Sequence, residues 1–386
     1  MSTPPPTPPP TVVIRTPPQI SAIRLVLGIV AILIALFLGL VVLLLIGIET
    51  GPIALLLGLV TATIPVPIYV ALVLWIDRYE AEPRWMLATA FFWGALIATF
   101  FAFLLNTTTG SLVGALMNAQ AGEAFAAVIS APLVEEIGKA FILFIFFFWK
   151  KDEFDGVVDG IVYASLSALG FAMSENILYY GKAAASGGDV LTATVVVRGF
   201  FAPFSHPLFT SLTGIGLGLA RQSNNIAIKI ITPIVGLLLA IFMHSLWNAS
   251  AVFGGGSVFI ITYIVVMIPA FFIMLIVISL ALRREGEVVR KFLVMDLERG
   301  FLTPEEYKQL GSITGRMGSS FNALSRSGMK GWRARRRFNQ LASELAFHRS
   351  RVSRGLHSAN QDVLAQEAAY MQALQDLIHE FRRPQV

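Results

Sequence analysis

The chain alternates long apolar stretches with short polar ones. Leu25–Ile48 is an unbroken run of 24 residues without a charge, and seven further candidate spans follow: Pro52–Ile76, Trp85–Leu105, Glu123–Trp149, Gly156–Tyr180, Val190–Ala220, Ile226–Phe253 and Val258–Leu282. Each is long enough to carry a helix across a hydrocarbon core about 30 Å thick. The pattern predicts an all-α, polytopic membrane protein with about eight transmembrane helices. The first run is too long for a signal-peptide core and no A-x-A site follows it, so it is expected to be retained as a span. The sixth is long for one crossing and holds Pro203 and Pro207, which predicts a broken or tilted helix.

Composition agrees with the pattern: 55% of the residues are hydrophobic and only 14% charged, against about 25% charged in soluble domains. There is no cysteine, which excludes disulfides, thiolate nucleophiles and cysteine-bound metals. Residues 1–24 contain eight prolines among the first twenty and read as a disordered cytoplasmic arm, followed by a membrane domain over 25–283. Residues 284–386 form a basic helical cytoplasmic tail. From Arg283 onward there are 18 Lys and Arg against 11 Asp and Glu, which suits an anionic lipid surface better than nucleic acid, for which no motif is present. The tail reads as a solvated helical appendage, with Thr303, Pro304 and Glu306 forming a helix start. Arg15, Arg24, Arg78, Arg84, Lys150, Lys151, Arg221, Lys229, Arg283 and Arg284 fall on one side of the spans, and Lys182 alone in the alternate loops. That asymmetry predicts cytoplasmic N- and C-termini.

Against this apolar background a few polar residues stand out, because a charge at the centre of a membrane helix costs about 2.5–3.5 kcal/mol on insertion scales. "APLVEEIGKA" places Glu135, Glu136 and Lys139 inside the fourth span. "SALGFAMSENILYY" places Glu175 and Asn176 in the fifth, "SHPLF" places His206 in the sixth, and "HSLWN" places His244 and Asn248 in the seventh. At about 1.5 Å per residue all of these fall in the middle or outer half of the membrane. Lys139 is spaced i+4 from Glu135 and i+3 from Glu136, so its ammonium reaches either carboxylate. Pro132 and Pro203 each lie three residues before a polar group and free a backbone carbonyl one turn back. Gly214, Gly216 and Gly218 permit close packing of the sixth span. Asp159 lies near the cytoplasmic end and reads as structural, and Asp77, Glu80 and Glu82 read as a solvated acidic turn before Pro83.

Such a set could hydrolyse a peptide bond: a buried glutamate takes a proton from water, a histidine holds that water, and a second histidine with an asparagine faces the developing oxyanion. The same groups could instead bind zinc, or line a proton or cation pathway in a transporter. The sequence itself requires no cofactor. There is no H-E-x-x-H, no rhomboid-type serine motif and no presenilin-type Gly-x-Gly-Asp.

At these residues the chain resembles the PrsW family of intramembrane proteases, relatives of the CAAX prenyl endopeptidase group. The likeness runs from "DRYEAEPRWML" through "APLVEEIGKA", "FDGVVDGIVYASLSALGFAMSENILYY" and "SHPLFTSLTGIGLG" to "HSLWN", about half of the chain. It implies a glutamate-type endopeptidase of the bacterial plasma membrane that cleaves membrane-anchored proteins such as anti-sigma factors. By the same likeness Glu135 would activate water with Glu136 beside it, His206 would assist, and His244 with Asn248 would stabilise the oxyanion. Glu175 stands where the CAAX relatives carry a histidine. The resemblance also leaves metal participation open, since family members are described as metalloproteases.

Overall fold

The computed structural model describes residues 22–355 and 362–382, and among these every regular element is helical. The expected proline-rich arm lies outside the described residues except for its last three positions, which open the first helix. In chain order the helices are α1 (Ala22–Thr50), α2 (Pro52–Ile76, broken at Ile64–Pro65), α3 (Arg84–Leu116), α4 (119–149) and α5 (Val157–Ser186). There follow α6 (188–201), α7 (Ser205–Gln222), α8 (Ile226–Phe253) and α9 (Gly255–Glu298). The C-terminal part forms α10 (Pro304–Leu310), α11 (Ile313–Ser353) and α12 (Val363–Arg382).

Among the described residues, six stretches are long and apolar enough to cross a membrane: Leu25–Thr50, α2, α3, α5, α8 and α9. The two expected spans outside that set carry the unusual chemistry. α4 holds Glu135, Glu136 and Lys139 within one apolar window, and the sixth span is interrupted between α6 and α7 at residues 202–204, around Pro203. Pro207 is tolerated because it lies in the first turn of α7, where its missing N–H costs no intrahelical bond. The last span does not stop at 283. α9 continues as one helix to Glu298 and carries the chain straight into the C-terminal part.

α5 is the axis of the bundle, buried along most of its length, with α2, α3, α4 and α7 around it. Its small residues make this possible. A Cβ on Gly160 would lie 2.1 Å from the carbonyl oxygen of Gly214, and a Cβ on Gly214 would lie 2.1 Å from that of Gly160, so α5 and α7 touch backbone to backbone there. The glycine series of α7 serves two neighbours. Gly214 and Gly218, one turn apart, face α5, while Gly216, on the other side of the helix, meets Thr232 of α8.

The C-terminal helices pack onto the membrane bundle rather than standing apart as a solvated appendage. Phe338, Leu345 and Ala346 of α11 join one apolar cluster with Tyr79, Met86, Phe146 and Tyr163 of the bundle. Thr303 and Glu306 form the expected capping box at the start of α10. Arg316 donates to Arg78 O at 2.9 Å and lies over the Tyr79 ring; Arg351 pairs with Glu80, and Arg354 with Asp155 at 2.5 Å. The acidic turn before Pro83 is therefore covered. Asp77 and Glu82 are buried, Glu82 accepts from Tyr163 Oη, and Asp77 Oδ2 accepts from Glu82 N at 2.9 Å. Asp159 has the expected structural role, with Oδ2 accepting from the Asp155 and Gly156 N–H groups at 2.8 and 2.7 Å.

Burial raises the Asp77 carboxyl to about 7, opposed by the Glu82 N–H bond and reinforced by the Asp159 charge. Burial likewise raises Asp155 to about 7, with Asp159 adding to the rise and Arg354 opposing it. A carboxyl whose folded pKa exceeds its unfolded value binds more protons when folded. Its contribution to stability is present at low pH and is lost as pH rises toward 7.

Two outcomes follow from this packing. Gly214→Val should lower the thermal midpoint of the detergent-purified protein by the equivalent of about 1–3 kcal/mol or more of overpacking, whereas Gly318→Ala, with no neighbour in reach on α11, should leave it equal or slightly higher. Unfolding midpoints measured from pH 4 to pH 7 should fall with rising pH, and Asp77→Asn, which keeps an acceptor for Glu82 N–H, should flatten that slope.

Candidate active site

α4 builds the centre of the site. Its first half contains a π-turn at Ala126–Ser130, and Ala131 N–H bonds Ala126 O in that register. The matching partner for Ala127 O would be the nitrogen of Pro132, which carries no hydrogen. Asn248 of α8 fills the vacancy by donating from Nδ2 to Ala127 O at 2.8 Å. The carbonyl expected to be freed by this proline is thus used to tie α8 to α4 beside the glutamates.

One turn later, Glu136 and Lys139 are wholly buried and Glu135 nearly so. Lys139 Nζ donates to Glu136 Oε1 at 2.5 Å and to His206 Nδ1 at 3.2 Å, and lies 4.6 Å above the Phe171 ring. Glu136 is saturated: Oε1 also meets His244 Nδ1 at 2.9 Å, and Oε2 accepts from Thr210 Oγ1 at 2.8 Å. His206 Nε2 meets Glu175 Oε2 at 3.0 Å, and Glu175 is paired in turn with Arg198 of α6. A hydrogen-bonded chain therefore runs Arg198–Glu175–His206–Lys139–Glu136–His244 across five helices.

The proton positions along that chain follow from chemistry. An ammonium only donates, so His206 Nδ1 is the acceptor and its ring proton sits on Nε2, pointing at Glu175. An ionised carboxylate only accepts, so His244 Nδ1 carries its proton toward Glu136 and leaves a lone pair on Nε2. That Nε2 faces Glu135 Oε2 at 3.8 Å. Glu135 is the exception in the network. Oε1 receives only a 3.4 Å contact from Asn106 Nδ2, and Oε2 is buried without a hydrogen-bond partner. Glu135, Glu136 and Glu175 share the two cations Lys139 and Arg198; Lys139 Nζ bonds Glu136 and stands 3.9 Å from Glu135 Oε2, beyond hydrogen-bond reach, so Glu135 is the carboxylate to which no cation is bonded.

Two cavities reach that carboxylate from different sides. One of about 1040 Å³ lies among α1, α3, α4 and α5, with Asn106, Thr107, Glu123 and Lys182 along it. The other, of about 470 Å³, lies among α4, α5, α6, α7 and α8, and His206, Trp247 and Asn248 line it. Glu135 and Glu175 border both.

The structure thus brings Glu135, Glu136, Glu175, His206 and His244 into one cluster, with Asn248 on the wall of the smaller cavity and its amide engaged by Ala127. Sequence reasoning passed over three contributors. Arg198 carried a usable signal, a charge inside a candidate span. Thr210 and Asn106 carried none, because hydroxyls and amides are common in membrane helices.

Residues 82–274 match the family described as PrsW family intramembrane metalloprotease. The chain belongs to the PrsW family. It is similar to Protease PrsW of Geobacillus kaustophilus, 36% identical over 145 residues, which is 38% of this chain and 58% of that protein. It is also similar to Protease PrsW of Oceanobacillus iheyensis (32% over 170 residues, 43% of this chain and 70% of that protein). A third, Protease PrsW of Bacillus subtilis, is 34% identical over 147 residues, 38% of this chain and 61% of that protein. The chain therefore spans about three-fifths to seven-tenths of the length of these PrsW relatives, and α10–α12 lie outside the family match. No solved structure matches the chain.

The family description implies a metal, and the donor set can be tested against one. Glu135, His206 and His244 each offer a ligand atom, and these atoms lie within 4.8 Å of one another. The unpartnered Glu135 Oε2 and the lone pair on His244 Nε2 are ready as they stand, and Glu136 on Nδ1 is the carboxylate that a ligating histidine characteristically has behind it. His206 completes the set once its Nε2 proton has passed to Glu175. The residues fit.

Proposed function

We propose that the chain is an intramembrane endopeptidase in which Glu135 is the general base. The observation that carries this reading is the pair formed by Glu135 Oε2 and His244 Nε2, two buried acceptors 3.8 Å apart, the first on a carboxylate that borders both cavities. A water there donates one O–H to each, which turns its own lone pair toward a peptide carbonyl in the cavity. Glu135 takes the proton as the water attacks and returns it to the leaving amine. The proton inventory supports an arrangement of the histidines different from the one the family resemblance suggests: His244 holds the water, and His206 Nε2–H is the donor for the oxyanion when the carbonyl oxygen takes the place of Glu175 Oε2. Asn248 lines the same cavity. Glu136 and Lys139 hold both imidazoles in these tautomers.

A divalent ion held by Glu135, His244 and His206 would add Lewis acidity toward water at the same place. The substrates on this reading are membrane-anchored proteins, anti-sigma factors among them by family likeness. The large cavity admits an extended segment, and the small residues Ala127, Ala131 and Ala172 leave room beside Glu135. The basic side asymmetry of the loops supports a plasma-membrane protein with cytoplasmic termini. Exposed Arg326, Arg333, Arg336 and Arg337 beside exposed Phe321 and Met329 suit a tail resting on anionic headgroups.

Full-length protein in detergent or liposomes should cleave single-span substrates, and Glu135→Gln should lower kcat roughly 100-fold or more, the range of general-base loss. An unchanged kcat in Glu135→Gln overturns the assignment. Metal analysis of the active protein separates the two forms of the mechanism: a stoichiometric ion whose removal by chelator abolishes cleavage places a metal in it, and full activity after chelation leaves the glutamate acting alone.

A further inference from the structure

Arg198 has no part in the residues so far given a task, yet it terminates the hydrogen-bonded chain. We propose that Arg198 is a positioning residue of the reaction: it holds the Glu175 carboxylate beside His206, which orients the imidazole in the resting site, and it keeps that carboxylate paired when the carbonyl oxygen takes the place of Glu175 Oε2 on His206 Nε2–H. The proposal rests on the endopeptidase reading above.

Three observations carry it. First, the guanidinium is aimed at one turn of α5 and grips it in three ways. It pairs with Glu175, donates from Nε to Asn176 Oδ1 at 2.6 Å, and lies 3.9 Å over the Tyr179 ring. A planar fork can make these contacts together and a lysine ammonium cannot. Second, Lys139 is engaged by Glu136 and His206, so Arg198 is the cation left for Glu175. Without it, Glu175 is an uncompensated carboxylate at membrane depth, free to leave His206 for water in the adjoining cavity. Third, Arg198 stands in the π-turn Val196–Phe201, and α6 buries none of its residues. A π-turn inserts one residue and re-aims the side chains beyond it, a device frequent at functional sites. Arg198 is the charged side chain that α6 sends into the site.

The competing role is a latch that merely keeps α6 docked. The structure supplies separate latches for that. Tyr69 Oη donates to Gly199 O, and Tyr263 Oη donates to Phe201 O at 2.8 Å, both to backbone carbonyls of the same π-turn. These bonds survive any change of the Arg198 side chain, so docking and positioning can be separated by mutation.

The test is a set of full-length variants assayed for kcat and KM on one single-span substrate, each checked for a monodisperse peak and an unchanged thermal midpoint. Arg198→Gln should lower kcat roughly 10- to 100-fold, the usual loss when the partner of a reacting histidine is removed, with KM within about threefold. Arg198→Lys keeps the charge and should fold even if Arg198→Gln does not; its kcat should be intermediate. The double variant Arg198→Gln/Glu175→Gln should be no slower than the slower single variant, because both break one linkage. Guanidinium added to Arg198→Ala should restore part of kcat. The proposal is overturned by a kcat within twofold of wild type in Arg198→Gln, by losses that multiply in the double variant, or by Tyr263→Phe slowing cleavage as much as Arg198→Gln does. Loss of cleavage in Glu135→Gln together with a normal Arg198→Gln removes this inference alone; normal cleavage in Glu135→Gln removes the endopeptidase reading itself.

Discussion

The buried ammonium of Lys139 is the constraint on which the site depends. It has three protons to donate, no solvent, and a surrounding of apolar helices, so acceptors have to come to it. Glu136 comes from its own helix and His206 from α7, while the face of Phe171 on α5 covers it. Once these are in place the remaining protons have one consistent arrangement. His206 is protonated on Nε2, His244 on Nδ1, and the Oε2 of Glu135 is left with nothing to accept. A single buried cation thereby sorts two adjacent glutamates into one that is tied down and one that is available. Breaking such a pair costs about 3–5 kcal/mol when one partner is removed, so the geometry is stiff as well as specific.

Close backbone approach makes that stiffness possible. α5 and α7 meet at Gly160 and Gly214 with no room for a Cβ on either, and Gly216 brings α8 onto the other side of α7. The helices bearing Glu175, His206 and His244 are thus drawn within side-chain reach of α4. The π-turns do the fine aiming. In α4 the π-register leaves Ala127 O for Asn248, and in α6 it accompanies the turn of Arg198 toward Glu175. Irregular backbone of this kind is tolerated at membrane depth where it is buried in protein or borders a wet cavity, and both instances border the cavity beside Glu135.

At the other end of the bundle the same problem, charge out of water, has a different solution. Asp77, Glu82, Asp155 and Asp159 lie together under the C-terminal helices, and Arg316, Arg351 and Arg354 of α11 and its end close over them. The tail is welded to the bundle by shared apolar side chains, and α9 runs into it without a break. Loop charges that would be solvated in isolation become part of an interior, which is why burial lifts Asp77 and Asp155 toward 7.

Much of this was legible in the chain itself. Runs of apolar residues long enough to span a bilayer require helices, since no other open structure satisfies its backbone in lipid. Charges inside those runs are costly enough that Glu135, Glu136, Lys139, His206 and His244 identify themselves without any coordinates. The i+3 and i+4 spacing foretold the Lys139 contacts, and Pro132 foretold a free carbonyl. What spacing along one helix cannot state is which atoms of different helices meet. The pairing of Arg198 with Glu175, the tautomers of the two histidines, the orphaned oxygen of Glu135 and the burial of the acidic turn all depend on the rotation and separation of neighbouring helices. Those are set by glycine contacts and packing between segments far apart in sequence, and only the folded bundle decides them.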